Sequence, residues 1–104
     1  MYKASRFKSN CQKLSDKKVL AMVLDGALTR NKNFEFFQTK RGQDLFRKAR
    51  TIKGFIQDID KGAVIVEENK NQENVLVTIE NNEEHYKRTV FMDKVMYDVF
   101  NNKK

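Results

Sequence analysis

The sequence predicts a mixed α+β domain: helix, short strand, basic helix, β-hairpin, closing helix. Three observations predict it. Between Gln43 and Gly62, Leu45, Ala49, Ile52, Ile56 and Ile59 recur at a helical period and fall within an arc of roughly 80° at about 100° per residue. From Ala63 to Asn81 the period changes to two, with Val75, Val77 and Ile79 on one side and Leu76 and Thr78 on the other. Upstream, the run Val19–Leu24 (VLAMVL) follows a helix-start signal.

The elements follow in order. Residues 1–13 hold Lys3, Arg6, Lys8 and Lys13 with no acid, and read as a basic arm preceding a single α+β domain over 14–104. Ser15 is a good N-cap and Asp16 suits the positive end of a helix. The apolar run behind them is apolar nearly all round, so this helix is expected to be the most deeply buried element. Asp25-Gly26 offers a stop. Asn33–Gln38 (NFEFFQ) is short and rich in Phe, and reads as a strand with Phe34 and Phe36 on one face and Phe37 on the other. These rings invite base stacking, but core filling is the better reading of them. The long helix then runs to Lys61-Gly62, where a cation in the last turn precedes a residue free to turn left-handed. Asn69–Gln72 (NKNQ) joins the two hairpin strands. Glu83-Glu84 suit a helix start, and Val90, Phe91, Val95, Met96, Val99 and Phe100 repeat at helical spacing. That closing helix is expected to cap the domain or to form a homodimer interface.

Composition narrows the function. The 104 residues carry a net charge of +7, with 15 Lys/Arg against 6 Asp/Glu over residues 1–61 and 6 against 8 over residues 62–104. An asymmetry of that size favours phosphate-bearing or acidic partners. The lone Cys11 cannot form an internal disulfide and points to a reducing, cytoplasmic setting. No apolar run is long enough to span a membrane, and MYKASRFKSN lacks the apolar stretch of a secretory signal. Cys11 and His85 are the only residues of their kinds, which argues against a His/Cys metal site. No glycine pattern matches a phosphate-binding loop or dinucleotide fingerprint, so no cofactor is expected. Glu68-Asn69-Lys70, with Asp58 or Asp60 upstream, fits half of a nuclease motif in which two carboxylates hold Mg²⁺ beside a lysine. The spacing is short and Lys70 falls in a turn, so solvated charges are the better reading and the chain is not expected to be an enzyme.

The densest cationic run is Lys40, Arg41, Arg47, Lys48, Arg50 and Lys53, with Asp44 as the one acid among them. It lies on the N-terminal half of the long helix, where exposed amides add positive potential. These six residues are the candidate nucleic-acid contacts.

Two resemblances bear on the same stretch. Thr51–Gly62 (TIKGFIQDIDKG), followed by AVIVEEN and ENVLVTI, resembles the recognition helix, glycine and two-stranded wing of winged-helix DNA-binding domains. That resemblance implies a DNA-binding regulator whose helix lies against the major groove or backbone and whose hairpin touches the adjacent groove. Gly54-x-Ile56-x-x-Ile59-Asp60, followed by Ala63–Val66, is similar to the first motif of Sm-like RNA-binding proteins, with His85–Val90 near the second. It implies that residues 51–59 form a bent strand of a small barrel. The partner expected is thus nucleic acid, DNA before RNA. The alternative is an inhibitor or adaptor, of a composition common among phage products, that uses the same cations on an acidic protein surface.

Overall fold

The computed structural model describes residues 13–103, and its α+β class agrees with the sequence. The described residues form helices α1 (Asp16–Leu24), α2 (Phe34–Gln38) and α3 (Lys40–Asp60), strands β1 (Val64–Lys70), β2 (Asn74–Asn81) and β3 (Tyr86–Asp93), and helix α4 (Lys94–Lys103). The chain groups into two compact units, one extending to Arg50 and the other from Thr51 onward. The basic arm expected over 1–13 lies outside the described residues, apart from Lys13.

The first unit is helical. Ser15 caps α1 by accepting from the Lys18 amide at 3.2 Å, as its position before Asp16 suggests. The helix closes in a Schellman turn: Ala27 N donates to Met22 O, Gly26 N donates to Val23 O, and Gly26 takes φ +79°. Only Val19 and Leu20 of VLAMVL are fully buried, and Ala21–Leu24 are half-buried, so α1 is less enclosed than its sequence implies.

NFEFFQ corrects the sequence reading, because it is a helix and not a strand. Phe36 and Phe37 are buried with rings edge-on at 5.1 Å, Phe37 meets Phe46 at 5.5 Å, and Phe34 stays exposed. Five residues are too few to hold a helix alone. Here the turn into α3 fixes it. Thr39 Oγ1 donates to the Phe36 carbonyl at 2.6 Å and accepts from the Gly42 amide at 3.0 Å, so one hydroxyl ends α2 and caps α3. Gly42 is buried, and a methyl group there would fall on the Phe36 carbonyl oxygen and 2.9 Å from Phe37 Cα. Only glycine lets the two backbones approach this closely.

In the second unit α3 ends where expected. Ala63 N donates to Asp58 O, Gly62 N donates to Ile59 O, and Gly62 takes φ +114°. Thr51–Ile59 is helical, so the bent strand required by the Sm-like reading is absent. β1 and β2 form the expected antiparallel hairpin. Asn71 shapes its turn, accepting from the Glu73 and Asn74 amides at 2.9 and 2.8 Å.

The second correction follows the hairpin. Tyr86–Asp93 is a third antiparallel strand, not the opening of the last helix, and the sheet order is β1-β2-β3. Asn81 Oδ1 accepts from the Glu84 amide within the connecting turn, and His85 adopts φ 58° there. α4 starts only at Lys94, capped by Asp93 Oδ1 on the Met96 amide at 2.8 Å. The inner sheet face carries Val75, Val77, Ile79 and Met92, all fully buried. Met96, Val99 and Phe100 of α4 are buried too, and Phe100 meets Phe55 edge-on at 5.2 Å. The apolar stripe of α4 thus caps its own unit. The dimer expected through that helix would have to use its polar side.

Candidate nucleic-acid interface

The charge asymmetry coincides with the division into units. Residues 1–50 carry 13 Lys/Arg and 4 Asp/Glu, a net +9, and residues 51–104 carry 8 and 10, a net −2. Five of the six candidate residues (Lys40, Arg41, Arg47, Lys48 and Arg50) belong to the cationic unit. Lys53 belongs to the other and is exposed.

The helix sorts these side chains by direction. Its buried stripe takes Leu45 and Ala49 in the first unit, so the positions opposite, Gln43, Arg47 and Arg50, face solvent. Lys40, the first helical residue, is exposed as well. Lys40, Arg41, Gln43, Asp44 and Arg47 line one shallow hollow over the first two turns. Helix N-terminal amides lend that end a partial positive charge, which adds to the side-chain field.

Not every cation is equally available. Asp44 is held by two of them. The Arg47 guanidinium donates to Oδ1, and the Lys48 ammonium sits 3.1 Å from Oδ2. The hydrogen bond from Arg47, then that from Lys48, lower the Asp44 pKa below its ordinary 3.8. This three-residue cluster is solvent-screened, so it orients the side chains more than it stabilises the fold. Arg47 remains three-quarters exposed while Lys48 is about one-quarter exposed.

Arg41 has a separate task. Its Nε donates to Asp16 Oδ1 at 2.8 Å and its Nη2 to the Leu14 carbonyl at 2.6 Å, while its guanidinium lies 5.6 Å from the Phe36 ring centre. It ties the start of α1 to the start of α3 within the first unit. Arg30, absent from the sequence-level set, stacks over Phe46 at 5.4 Å and is exposed. The mixture of aromatic and basic residues around Phe34–Phe37 is the signal that could have found it. No ion pair is formed by Lys40, Arg50 or Lys53 among the described residues. They are the least encumbered of the six.

Lys70, expected in a turn, is instead the last residue of β1, paired with Val75, but the nuclease-like residues do not assemble with Asp60. Glu68 accepts a hydrogen bond from the Tyr97 hydroxyl, and Lys70 lies 3.7 Å from the same carboxylate and 5.1 Å from the Tyr97 ring centre. Asp60 instead borders a hollow with Lys61, Gly62, Glu80 and Glu83. Among the described residues no group of three or more His, Cys, Asp or Glu is placed to hold a metal ion, and no helix is long and apolar enough to cross a membrane. Comparison with protein-family models, with curated proteins and with solved structures finds no match.

Proposed function

We propose that this chain is a small nucleic-acid-binding protein, most consistent with a DNA-binding regulator, that engages phosphates through the first half of α3. The observation that carries this reading is the net +9 of the first unit, with Lys40, Arg47 and Arg50 on the solvent side of one helix and Asp44 as the only acid nearby in sequence. A dense exposed cationic surface whose two local counter-charges, Asp44 and Asp16, are both already paired suits a polyanion, whose condensed counterions are released on binding. Arg47 and Arg50 make the main contacts and Lys40 acts at the helix start. Lys48 adds to the field from behind Asp44, and Arg41 braces the helix. The winged-helix resemblance, a long helix and glycine followed by a hairpin, supports DNA over RNA. Cys11 suits a reducing cytoplasm.

Fluorescence anisotropy tests this with 20-base-pair DNA and RNA duplexes at 50 and 200 mM salt. Tight binding to DNA at the lower salt, weakened by one or more orders of magnitude at the higher, is expected. Absence of binding to either duplex at 50 mM salt contradicts the proposal. If a protein from nuclease-treated lysate is then retained instead, the cations read an acidic protein surface.

A further inference from the structure

The last turn of α3 opens onto a hollow of the opposite charge to the one at its first turns. Asp60, Glu80 and Glu83 border it, with Lys61, Gly62 and Asn81, around a volume of about 380 Å³. That is the lower end of the range for ligand-binding clefts. Three carboxylates and one ammonium line it, and the C-terminal end of the helix adds partial negative charge. None of the three carboxylates is in an ion pair among the described residues. This holds even for Glu80, whose cross-strand partner is Lys87.

Acidic side chains alone do not make a site; here a buried amide accompanies them. Asn81, the last residue of β2, is 2% exposed, and its Nδ2 has no hydrogen-bond partner. Its Oδ1 is engaged by the Glu84 amide, so flipping the side chain would break that bond. The Tyr86 hydroxyl, across the strand pair, lies near both this amide and Asp58 and leaves Nδ2 unsatisfied. A methyl group on Gly62 would come 3.8 Å from Nδ2, which places the amide beneath the glycine that lines the hollow. A buried donor in that position calls for an acceptor.

We propose that this hollow binds an arginine residue of a partner peptide. Asp60, Glu80 and Glu83 hold the guanidinium, and a peptide carbonyl oxygen accepts from Asn81 Nδ2. The donor set selects the occupant. A phosphate or carboxylate ligand would meet like charge. Among the described residues no group of three Asp, Glu, His or Cys is placed to hold a bare metal ion. An organic cation of longer reach is needed, and a guanidinium presents five N–H donors in one plane to separated carboxylates. A simple amine or polyamine offers Asn81 no oxygen, whereas a peptide residue carries its own carbonyl. Val64, 55% exposed at the rim, gives the methylene stem an apolar contact. Asp60 and Glu83 are exposed, so binding is weak and falls as salt rises. The site lies in the unit of net −2 and does not rest on the nucleic-acid reading.

NMR of the isotope-labelled full chain at low salt, titrated with Nα-acetyl-arginine-N-methylamide, tests the proposal. Saturable shifts of the Asn81 side-chain amide pair and the Gly62 amide are expected, with a millimolar dissociation constant. Asp60→Asn/Glu83→Gln weakens binding roughly fivefold or more. Should that variant fail to fold, two further probes on the wild-type chain decide. Ethylguanidinium, which lacks the carbonyl, binds more weakly and leaves the Asn81 pair in place. Nα-acetyl-aspartate-N-methylamide, with the carbonyls and the wrong charge, does not bind. Asn81 resonances that stay still under saturating arginine derivative overturn the proposal. So does a folded double variant that binds as tightly as the wild type, or an equal response to ethylguanidinium or the aspartate derivative.

Discussion

The two units present surfaces of different physics. The first exposes cations over an aromatic core of Phe36, Phe37 and the half-buried Phe46. The second is nearly balanced in charge, packs aliphatic strands under α4, and exposes apolar side chains on the far side of its sheet. Salt screens attraction between exposed charges, most fully beyond a Debye length of about 8–10 Å, while apolar association is not screened. One chain thus exposes two surfaces on which salt acts differently: attraction to the cationic one is screened, and apolar contact at the other is not.

The largest expected effect concerns two glycines of the same helix. Gly42→Ala drives a methyl into the backbone of α2 and lowers stability by about 2–3 kcal/mol or more. Gly54, in the second unit, has nothing within 4 Å of the added methyl, so Gly54→Ala raises stability by roughly 0.5–1 kcal/mol through helix propensity alone. Urea denaturation measures both. Equal effects would show that the close α2–α3 approach is not what holds the first unit.

A smaller effect sharpens the account of the cations. Asp44→Asn frees Arg47 and Lys48 from their shared carboxylate, and duplex DNA affinity at low salt rises about twofold to fivefold. Unchanged affinity would mean that these two side chains do not face the phosphates. The smallest effect is in pH. The lowered Asp44 pKa means that its contribution to stability is complete above the ordinary carboxylate value and is lost as pH falls through the lowered one. An NMR titration of the Asp44 carboxyl should show a midpoint under 3.8, moving upward in Arg47→Gln.

Local chemistry was legible wherever a signal was confined to a few residues. Ser15, Gly26 and Gly62 act in the positions their types suggest, whereas the hairpin turn sits at residues 71–73, Asn69 and Lys70 of the expected NKNQ connection being paired in β1. The two misread elements are those decided at a distance. NFEFFQ is too short to distinguish a period of two from one of 3.6, and what settles it is Gly42, several residues on, whose missing side chain admits the α2 backbone. In Tyr86–Asp93 the inward positions are Tyr86, Arg88, Val90 and Met92. Arg88 disguises the alternation, because its guanidinium faces inward to lie 2.8 Å from Asp58, an ionic approach without hydrogen-bond alignment. Phe91, four residues before Val95 as Val95 is before Val99, then mimics a helix. At the candidate interface the cations themselves were plain. The Asp44 pairs follow from spacings of three and four residues. The Arg41–Asp16 tie, 25 residues apart, left no trace in the sequence.

The central claim is that Arg47 and Arg50 meet phosphates. The most direct test is the slope of log Kobs against log[salt] for duplex DNA, measured for the wild-type chain and for Arg47→Gln/Arg50→Gln. Loss of two phosphate contacts should flatten the slope by about 1.8 and weaken binding alike across DNA sequences. An unchanged slope, with the variant folded, would contradict the account.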